Sequence, residues 1–595
     1  MNYRDGEYIL RTDRVIKTKH LSACHACDMA KTSPIYMRGI TMTNHHEEME
    51  RIEKERAVWE EKQVNPVKEK RGERQKSFPT SSLKNVKNLY TPGDIKHLDY
   101  LRDLSFPGSF PYTRGIRPTG YRGQLWTHRL VSGAMGGKES NRIFKNLISH
   151  GETGLNPVFD PPTLNVRDSD EEISEGQVGV NGTAIDTLKD MENLFKGINL
   201  EEISVSIITP HPFLFPMYIA MAEDKGLPID RLRGTIQNDC INNSHSCNWI
   251  SMAPLRLRMQ VHGDAVEFAT RNMPRWNPLS IVGYHIREGG ATAAQEIGFT
   301  IADGIAYIEE FIARGMDIDS FAPRLSFFLG CETDLLEEVA KFRAARRVWA
   351  RIMSDRFKAK KEESLLFRYH VQTAGNSLLA QQPLNNIIRT TIQALAAVLG
   401  GCNSLHTNSY DEAFTAPTPE AAMVALRTQQ IIAHESGVAN TIDPLGGSYY
   451  VEWLTNRLEQ ECNAIIKEVD KRGGAVKAWE WIQEEYLATA YEKQVRIEKG
   501  EQVIVGLNKF IINEEDEIEL DLFEIDPEFE KRQVAFLQEI KKKRNQQLVS
   551  KALEKVASVT ANNENTIRAM VDAYKALATL GEVRRAWERG AGVQN

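Results

Sequence analysis

The stretch "LSIVGYHIREGGATAAQEIGFTIADGIAYIEEFIARG", residues 279–315, decides the fold. Its first residues, Leu279–Val282, are a short apolar run of strand length. Glycines and charges interrupt it. From Ala291 onward apolar residues recur at helical spacing, as at Ile297, Ile301, Ile305, Ile308 and Ile312. A strand followed by an amphipathic helix is the repeating unit of a parallel sheet.

The same grammar recurs on both sides of this stretch. Short apolar runs that end in polar residues are "GLNPVFDPP" (154–162), "ISVSIITP" (203–210), "GTIQND" (234–239), "PRLSFF" (323–328), "LLFRYHVQT" (365–373) and "SLHTNSYD" (404–411). Amphipathic stretches such as "ETDLLEEVAKFRAARRVWARIMSDRF" (332–357) lie between them. The expected fold class is α/β, a (β/α)8 TIM barrel with an N-terminal extension and a C-terminal helical region. A doubly wound open sheet is the alternative, but no GxGxxG follows any of the runs. Polar residues fall where the strands are expected to end: Asp160, Thr209, Gln237 with Asn238, His285, Arg324, His370 with Gln372, and His406 with Asn408. In a barrel those ends converge on one mouth, where active sites are built.

The expected organisation is an extension over 1–87, a barrel over 88–415 and a helical region over 416–595. The charge-dense "HHEEMERIEKERAVWEEKQVNPVKEKRGERQK" reads as a solvated helix. With 595 residues, 41% of them hydrophobic, the chain can bury a large core without disulfides or metal. Seven cysteines, five scattered singly, fit a reducing compartment. Cys24 and Cys27 form one isolated "CHAC" pair with no second half of a zinc site. No signal-peptide core opens the chain and no apolar run reaches membrane-spanning length, so a cytoplasmic location is expected. The net charge of -7 argues against nucleic acid as a partner.

The segment "RGIRPTGYRGQLWTHRLVSGAMGGKESN" (114–141) mixes arginine with glycine. That composition suits laying backbone and positive charge along an anionic ligand, since guanidinium pairs with phosphate oxygens through a planar fork.

Together "GTIQND", "MPRWNPLSIVGYHIREGGATAAQE" (273–296), "FAPRLSFF" (321–328) and "SLHTNSYDEA" (404–413) closely resemble the large subunit of adenosylcobalamin-dependent acyl-CoA mutases. "NLYTPGD" (88–94) and "VGLNKF" (505–510) resemble the edges of that family. The resemblance covers roughly residues 88–590 and implies a barrel threaded along its axis by coenzyme A. It also implies a radical 1,2-shift of a thioester carbonyl group. No DxHxxG cobalamin signature occurs, so adenosylcobalamin is expected mainly on a separate small subunit. A homodimer of large subunits within a heterotetramer follows from the same resemblance.

Residue by residue, the resemblance gives His285 as donor to the thioester carbonyl and Gln237 as its neighbour, the two catalytic positions. Thr127, Arg129, Thr235, Asn277, Arg324, Ser326, His370 and Gln372 match positions that contact coenzyme A, with Arg117 and Arg122 as additions from composition. Glu412 matches the acid that holds the adenosyl ribose hydroxyls, with Asn408 and Asn181 beside it. No metal-ligand set is expected.

Several positions depart from the family. A substrate-facing Tyr falls on Val131, a Phe on Ala134, a Met on Gly120 and a Trp on Asn376. The Arg that grips the free carboxylate of methylmalonyl-CoA falls on Cys247. An Asp that binds a substrate hydroxyl in 2-hydroxyisobutyryl-CoA mutases falls on Val158. A buried carboxylate without its partner costs several kcal/mol, on that order. Interiors do not keep large voids, so the lost volume points to a bulkier ligand or to compensating bulk, for which "TPHPFLFP" (209–216) is the candidate. The expected substrate is a bulky or branched acyl-CoA without a carboxylate at that place. The alternatives are an isobutyryl-CoA or 2-hydroxyisobutyryl-CoA type mutase with a variant pocket, and a non-catalytic acyl-CoA-binding homologue.

Overall fold

A computed structural model describes residues 45–246, 253–513 and 520–593. It is a mixed α/β structure in which every pairing between named strands is parallel. The strands are β1 Thr127–His128, β2 Val131–Ser132, β3 Met135–Gly136, β4 Gly154–Pro157, β5 Thr183–Ala184, β6 Ser204–Ile208, β7 Gly234–Gln237, β8 Trp276–Asn277, β9 Leu279–Val282, β10 Leu325–Cys331, β11 Tyr369–Thr373 and β12 Ser404–His406. One sheet has the order β1-β12-β11-β10-β9, a second β2-β4-β6-β7-β8, and β3 pairs with β5. Only Arg129 and Leu130 separate β1 from β2, and only Pro278 separates β8 from β9. At the first of these seams Arg129 N donates to Leu405 O at 3.1 Å, while Thr153 N donates to His128 O at 3.1 Å.

Helices connect the strands, as a parallel sheet requires. They include Gly137–Ser149, Leu214–Asp224, Leu255–Asn272, Ala293–Ala313, Leu335–Asp355 and Asn385–Gly400. Their starts are set locally. Thr292 and Gln295 form a capping box, and Asp334 accepts from Glu337 N. Gly401, with φ 86, ends Asn385–Gly400 in the left-handed conformation that glycine adopts without a Cβ clash.

Two hydrophobic clusters cover the outer faces of the strands. One joins Ile281, Leu329, Val371 and Leu405 to the helices Ala293–Ala313, Leu335–Asp355 and Tyr449–Lys471. The other joins Val205, Ile207 and Ile236 to Leu214–Asp224 and to the C-terminal helices Gln546–Ala561, Ile567–Lys575 and Leu580–Gly590. Phe213 and Phe215 belong to this second cluster, packed edge-on to Trp587 and stacked on Trp276. They do not compensate for volume lost in the site.

The helix Leu335–Asp355 is buried although it is rich in charge, because each charge finds a partner. Arg287 donates to Glu338 and Lys341 to Glu296, both at 2.7 Å, with all four side chains fully enclosed. Glu296 and Lys341 also bind the backbone of Gly330, which fixes the end of β10. The N-terminal helices His45–Trp59 and Asn65–Arg71 lie mostly exposed. Among the described residues no helix is long and apolar enough to cross a membrane.

Candidate active site

Side chains alternate across a strand, and here the alternation separates two kinds of surface. Val205, Ile207, Ile236, Ile281, Leu329, Val371 and Leu405 point into the outer core. The opposite face carries Ser204, Ser206, Thr235, Ser280, Ser326, His370 and Ser404, which line a cavity of about 390 Å3. Parallel strands that enclose a packed interior normally fill it with Val, Ile and Leu. Small hydroxyl side chains leave it hollow.

Thr127, Arg129, Thr235, Gln237, Asn277, Ser326 and His370 all line this lower cavity. Arg129 Nη2 donates to Ser204 Oγ at 2.6 Å, Asn277 Nδ2 to Thr235 Oγ1 at 3.2 Å, and Gln237 Nε2 to Ser206 Oγ at 3.1 Å. His370 Nδ1 pairs with Ser404 Oγ at 2.8 Å. Burial holds the His370 ring neutral, its pKa well below the ordinary value, with Arg129 and His406 adding to the shift. Three buried polar atoms on this wall have no protein partner: Arg129 Nε, Asn277 Oδ1 and His370 Nε2. Each such atom costs about 1–3 kcal/mol unless a ligand or water meets it.

Two residues sit lower than their place among the expected strand ends. Arg324 precedes β10, and His370 is the second residue of β11. The reason is strand length: β10 starts at Leu325 and runs on to Cys331. Arg324 does not line the lower cavity but lies near Arg368, which does. Burial lowers the pKa of the Arg368 guanidinium to about 10, and neighbouring Arg324 adds to the effect. Arg117 and Arg368 line the same cavity, whereas Arg122 is exposed.

One step along the strands lies an upper cavity of about 380 Å3. His370 and Gln372 are two residues apart in β11 and share a face, about 6.6 Å apart along the strand; His370 lines the lower cavity and Gln372 the upper one. Val131, Ala134, Val158, Asn181, Gln372 and Glu412 line this cavity. Glu412 accepts from Ser409 N at 2.6 Å and from Asn408 Nδ2 at 3.1 Å, and Asn408 is held in turn by Thr373. Burial is the main cause that raises the Glu412 carboxyl to about 8, and nearby Asp411 adds to it. Ser132 Oγ, buried on the same wall, has no protein partner. A carboxyl and a hydroxyl facing a cavity fit a ligand with hydroxyl groups.

His285 lies on the short helix Tyr284–Glu288 that follows β9. Its Nδ1 pairs with Asn242 Oδ1 at 3.1 Å, and Asn242 Nδ2 donates to Val282 O at 2.7 Å, which fixes the amide orientation. His285 Nδ1 is therefore a donor, and a second donor at Nε2 requires the imidazolium. Phe328 touches His285 edge-on and packs against His370, and Tyr284 stacks on Phe328 while its hydroxyl accepts from Gln372 Nε2 at 2.9 Å. His285 itself lines neither cavity; Phe328 and Tyr284 connect it to His370 of the lower cavity and Gln372 of the upper one.

Two expected pocket positions fall elsewhere, and a third lies outside the described residues. Gly120 lines a separate small cavity, where Ile442 occupies the space that a side chain would take, 3.0 Å from an ideal Cβ. Asn376 is exposed, lines neither cavity and bonds to Glu288. Cys247, like Cys24 and Cys27, lies outside the described residues.

The structure gives a place to His406, read in the sequence only as a polar strand end, and adds Phe414 and Phe523. His406 lines the upper cavity and accepts from Val131 N at 2.9 Å through Nδ1. Burial lowers its pKa to about 3, so Nε2 carries the proton and points toward Glu412, 4.0 Å away. Phe414 and Phe523 complete the wall, the latter from the C-terminal region. The signal for His406 was its place at a strand end. None existed for Phe523.

A hydroxyl-lined cavity with Arg117, Arg129 and Arg368 on its wall and a second cavity bearing Glu412 offer room and charge for an extended anionic ligand. Comparison with known proteins agrees: residues 79–593 match the methylmalonyl-CoA mutase family model, and the chain belongs to that family of cobalamin-dependent acyl-CoA isomerases. It is 42% identical over 537 residues to the 2-hydroxyisobutanoyl-CoA mutase large subunit of Aquincola tertiaricarbonis, covering 89% of this chain and 95% of that protein. It is 43% identical over 513 residues to methylmalonyl-CoA mutase of Escherichia coli strain K12, covering 84% and 70% respectively. The human mitochondrial methylmalonyl-CoA mutase is 40% identical over 514 residues, with 85% of this chain and 68% of that protein covered.

Proposed function

We propose that the chain is the large subunit of a mutase that isomerises a bulky or branched acyl-CoA lacking a carboxylate, by migration of the thioester carbonyl group. The observation that carries this reading is the hollow, hydroxyl-lined strand face with unpaired Arg129, Asn277 and His370 atoms. On this reading the two five-stranded sheets form one closed ring, joined where β1 continues into β2 and β8 into β9. The adenosine diphosphate end of coenzyme A meets Arg117, Arg324 and Arg368. The pantetheine chain passes Thr127, Arg129, Thr235, Asn277, Ser326 and His370. The thioester rests near Gln237 and His285.

Adenosylcobalamin, when bound, supplies a carbon radical by homolysis. This chain's part is to position and to exclude water. Glu412 and Asn408 receive ribose hydroxyls, with Asn181 beside them. His285 donates to the carbonyl oxygen as charge develops there, while Asn242 holds the ring. Val131, Ala134 and Val158 leave apolar room for the acyl group and offer no cation to a carboxylate. The cobalamin-binding partner subunit docks over the carboxyl ends of the strands. Supporting this, Phe510, Ile511 and Ile388 are exposed there, and the segment that bears Phe510 is tied down by Gln382 and Arg389. A heterotetramer with paired large subunits and a cytoplasmic location complete the reading.

The test is electron paramagnetic resonance of the large subunit reconstituted with its small subunit and adenosylcobalamin, across a panel of acyl-CoAs. The expected result is a substrate-dependent paramagnetic signal with branched or bulky acyl groups. Full turnover of methylmalonyl-CoA with none of the bulky substrates overturns the substrate assignment. Acyl-CoA binding with no signal from any substrate leaves only the non-catalytic homologue.

A further inference from the structure

The upper cavity has two linings of different chemistry. Gln372, His406, Ser409, Glu412 and Asn181 supply polar groups. Leu130, Ile143, Leu147 and Ala422 line it on the side of the helices Gly137–Ser149 and Pro419–His434, and Phe414 and Phe523 add apolar lining. Leu130 and Leu147 are buried together with Ala425 and Leu426, and Ile143 packs against them, in a small cluster between the helices Gly137–Ser149 and Pro419–His434. This cluster is separate from the two large cores.

Leu130, in the two-residue link before β2, belongs to this helix-side cluster, whereas the next residue, Val131, does not. Both line the same cavity. The cavity therefore passes from Val131 to the helix side. Residues 131–134, Val-Ser-Gly-Ala, are all small and make the sill over which it passes. Gly133 has φ +130, and a Cβ there would lie 2.6 Å from Thr183 Oγ1, so the sill stays low.

A polar group placed among Leu130, Ile143 and Leu147 would lose its hydrogen bonds to water without replacement. A nucleoside therefore suits the lining that bears Glu412 and not this one. We infer that the apolar helix side is an annex for the distal part of the acyl group, which makes the substrate class acyl-CoAs with an extended alkyl or aryl tail beyond the migrating carbon. This rests on the reading of the protein as an acyl-CoA mutase and sharpens its substrate.

The annex makes a quantitative prediction that needs no turnover. Each methylene it buries strengthens binding about fourfold. Isothermal titration of the large subunit with coenzyme A, butanoyl-, hexanoyl- and octanoyl-CoA measures this directly. The expected result is affinity that rises by about that factor per carbon until the annex is full. Two substitutions that fill it from different helices, Ile143→Trp and Ala422→Phe, are expected to cut the ratio of octanoyl-CoA to butanoyl-CoA affinity at least tenfold, roughly the worth of two buried methylenes. Taking the ratio within each variant removes any general loss of folded protein. Affinity that does not change with chain length in the wild-type protein overturns the annex, and so does a wild-type ratio retained in both filled variants. Coenzyme A binding with a flat chain-length profile removes the annex alone. No binding of coenzyme A itself removes the proposed function, and the annex with it.

Discussion

His406 Nδ1 accepts a hydrogen bond from the backbone N–H of Val131 at 2.9 Å, across the seam between the last strand and the second. This bond fixes the imidazole tautomer, aims Nε2–H at Glu412 and satisfies a donor on the cavity sill. Replacing the ring by Ala leaves the Val131 N–H without its acceptor. His406→Ala should lose about 1–3 kcal/mol of stability, read by urea unfolding, with His406→Asn intermediate.

Glu412 carries a pH signature. Its carboxyl lies at about 8 in the folded chain against an ordinary 4.5, so the folded state binds the proton more tightly than the unfolded state. The resulting stabilisation is present in full below 4.5 and is lost as pH rises toward and through 8. Glu412→Gln cannot ionise and escapes that loss. The melting temperature of the variant relative to wild type should rise between pH 5 and pH 8.5. A difference that falls, or stays constant, contradicts the burial of this group.

Asp160 holds the loop that presents Asn181. Its carboxylate accepts from Thr163 N at 2.9 Å and from Gly179 N at 2.7 Å, within a fully enclosed site. Asn181 itself stands in the left-handed region at φ 55. Asp160→Ala removes a helix cap and the loop anchor together, at a cost of about 2 kcal/mol. Hydrogen exchange should show faster exchange over residues 176–183 before any change in the strands.

Arg129 is one of three arginines that line the lower cavity, with Arg117 and Arg368. Burial lowers its pKa to about 10, partly offset by Glu152, and it remains charged at neutral pH. Arg129→Ala should weaken coenzyme A binding roughly 10- to 100-fold, the worth of a hydrogen bond to a charged group. Arg129→Lys should recover only part, because lysine offers no planar fork. Calorimetry with coenzyme A alone measures both.

The sequence by itself determined the alternation that makes the site. "SVSII" (204–208) places serine on one face and apolar side chains on the other whatever surrounds it, because side chains alternate along any strand. The helix after each run was equally legible from period and caps. Thr127, Arg129, Thr235, Asn277, Ser326 and His370 of the lower cavity's lining were named from the family resemblance that short motifs carry, not from alternation. Only the tertiary structure decided matters that depend on partners far along the chain. Residues 332–357 read only as an amphipathic stretch, yet Arg343 is enclosed by Asp443 and Glu452 and Arg347 by Glu459. Gly120 read as lost volume, yet Ile442 fills it. Phe523 reached the cavity wall from a region with no local sign of a site. Local pattern fixes which way a side chain points, but the cost of burying a charge or opening a void depends on what arrives opposite, and that is set only when distant segments pack.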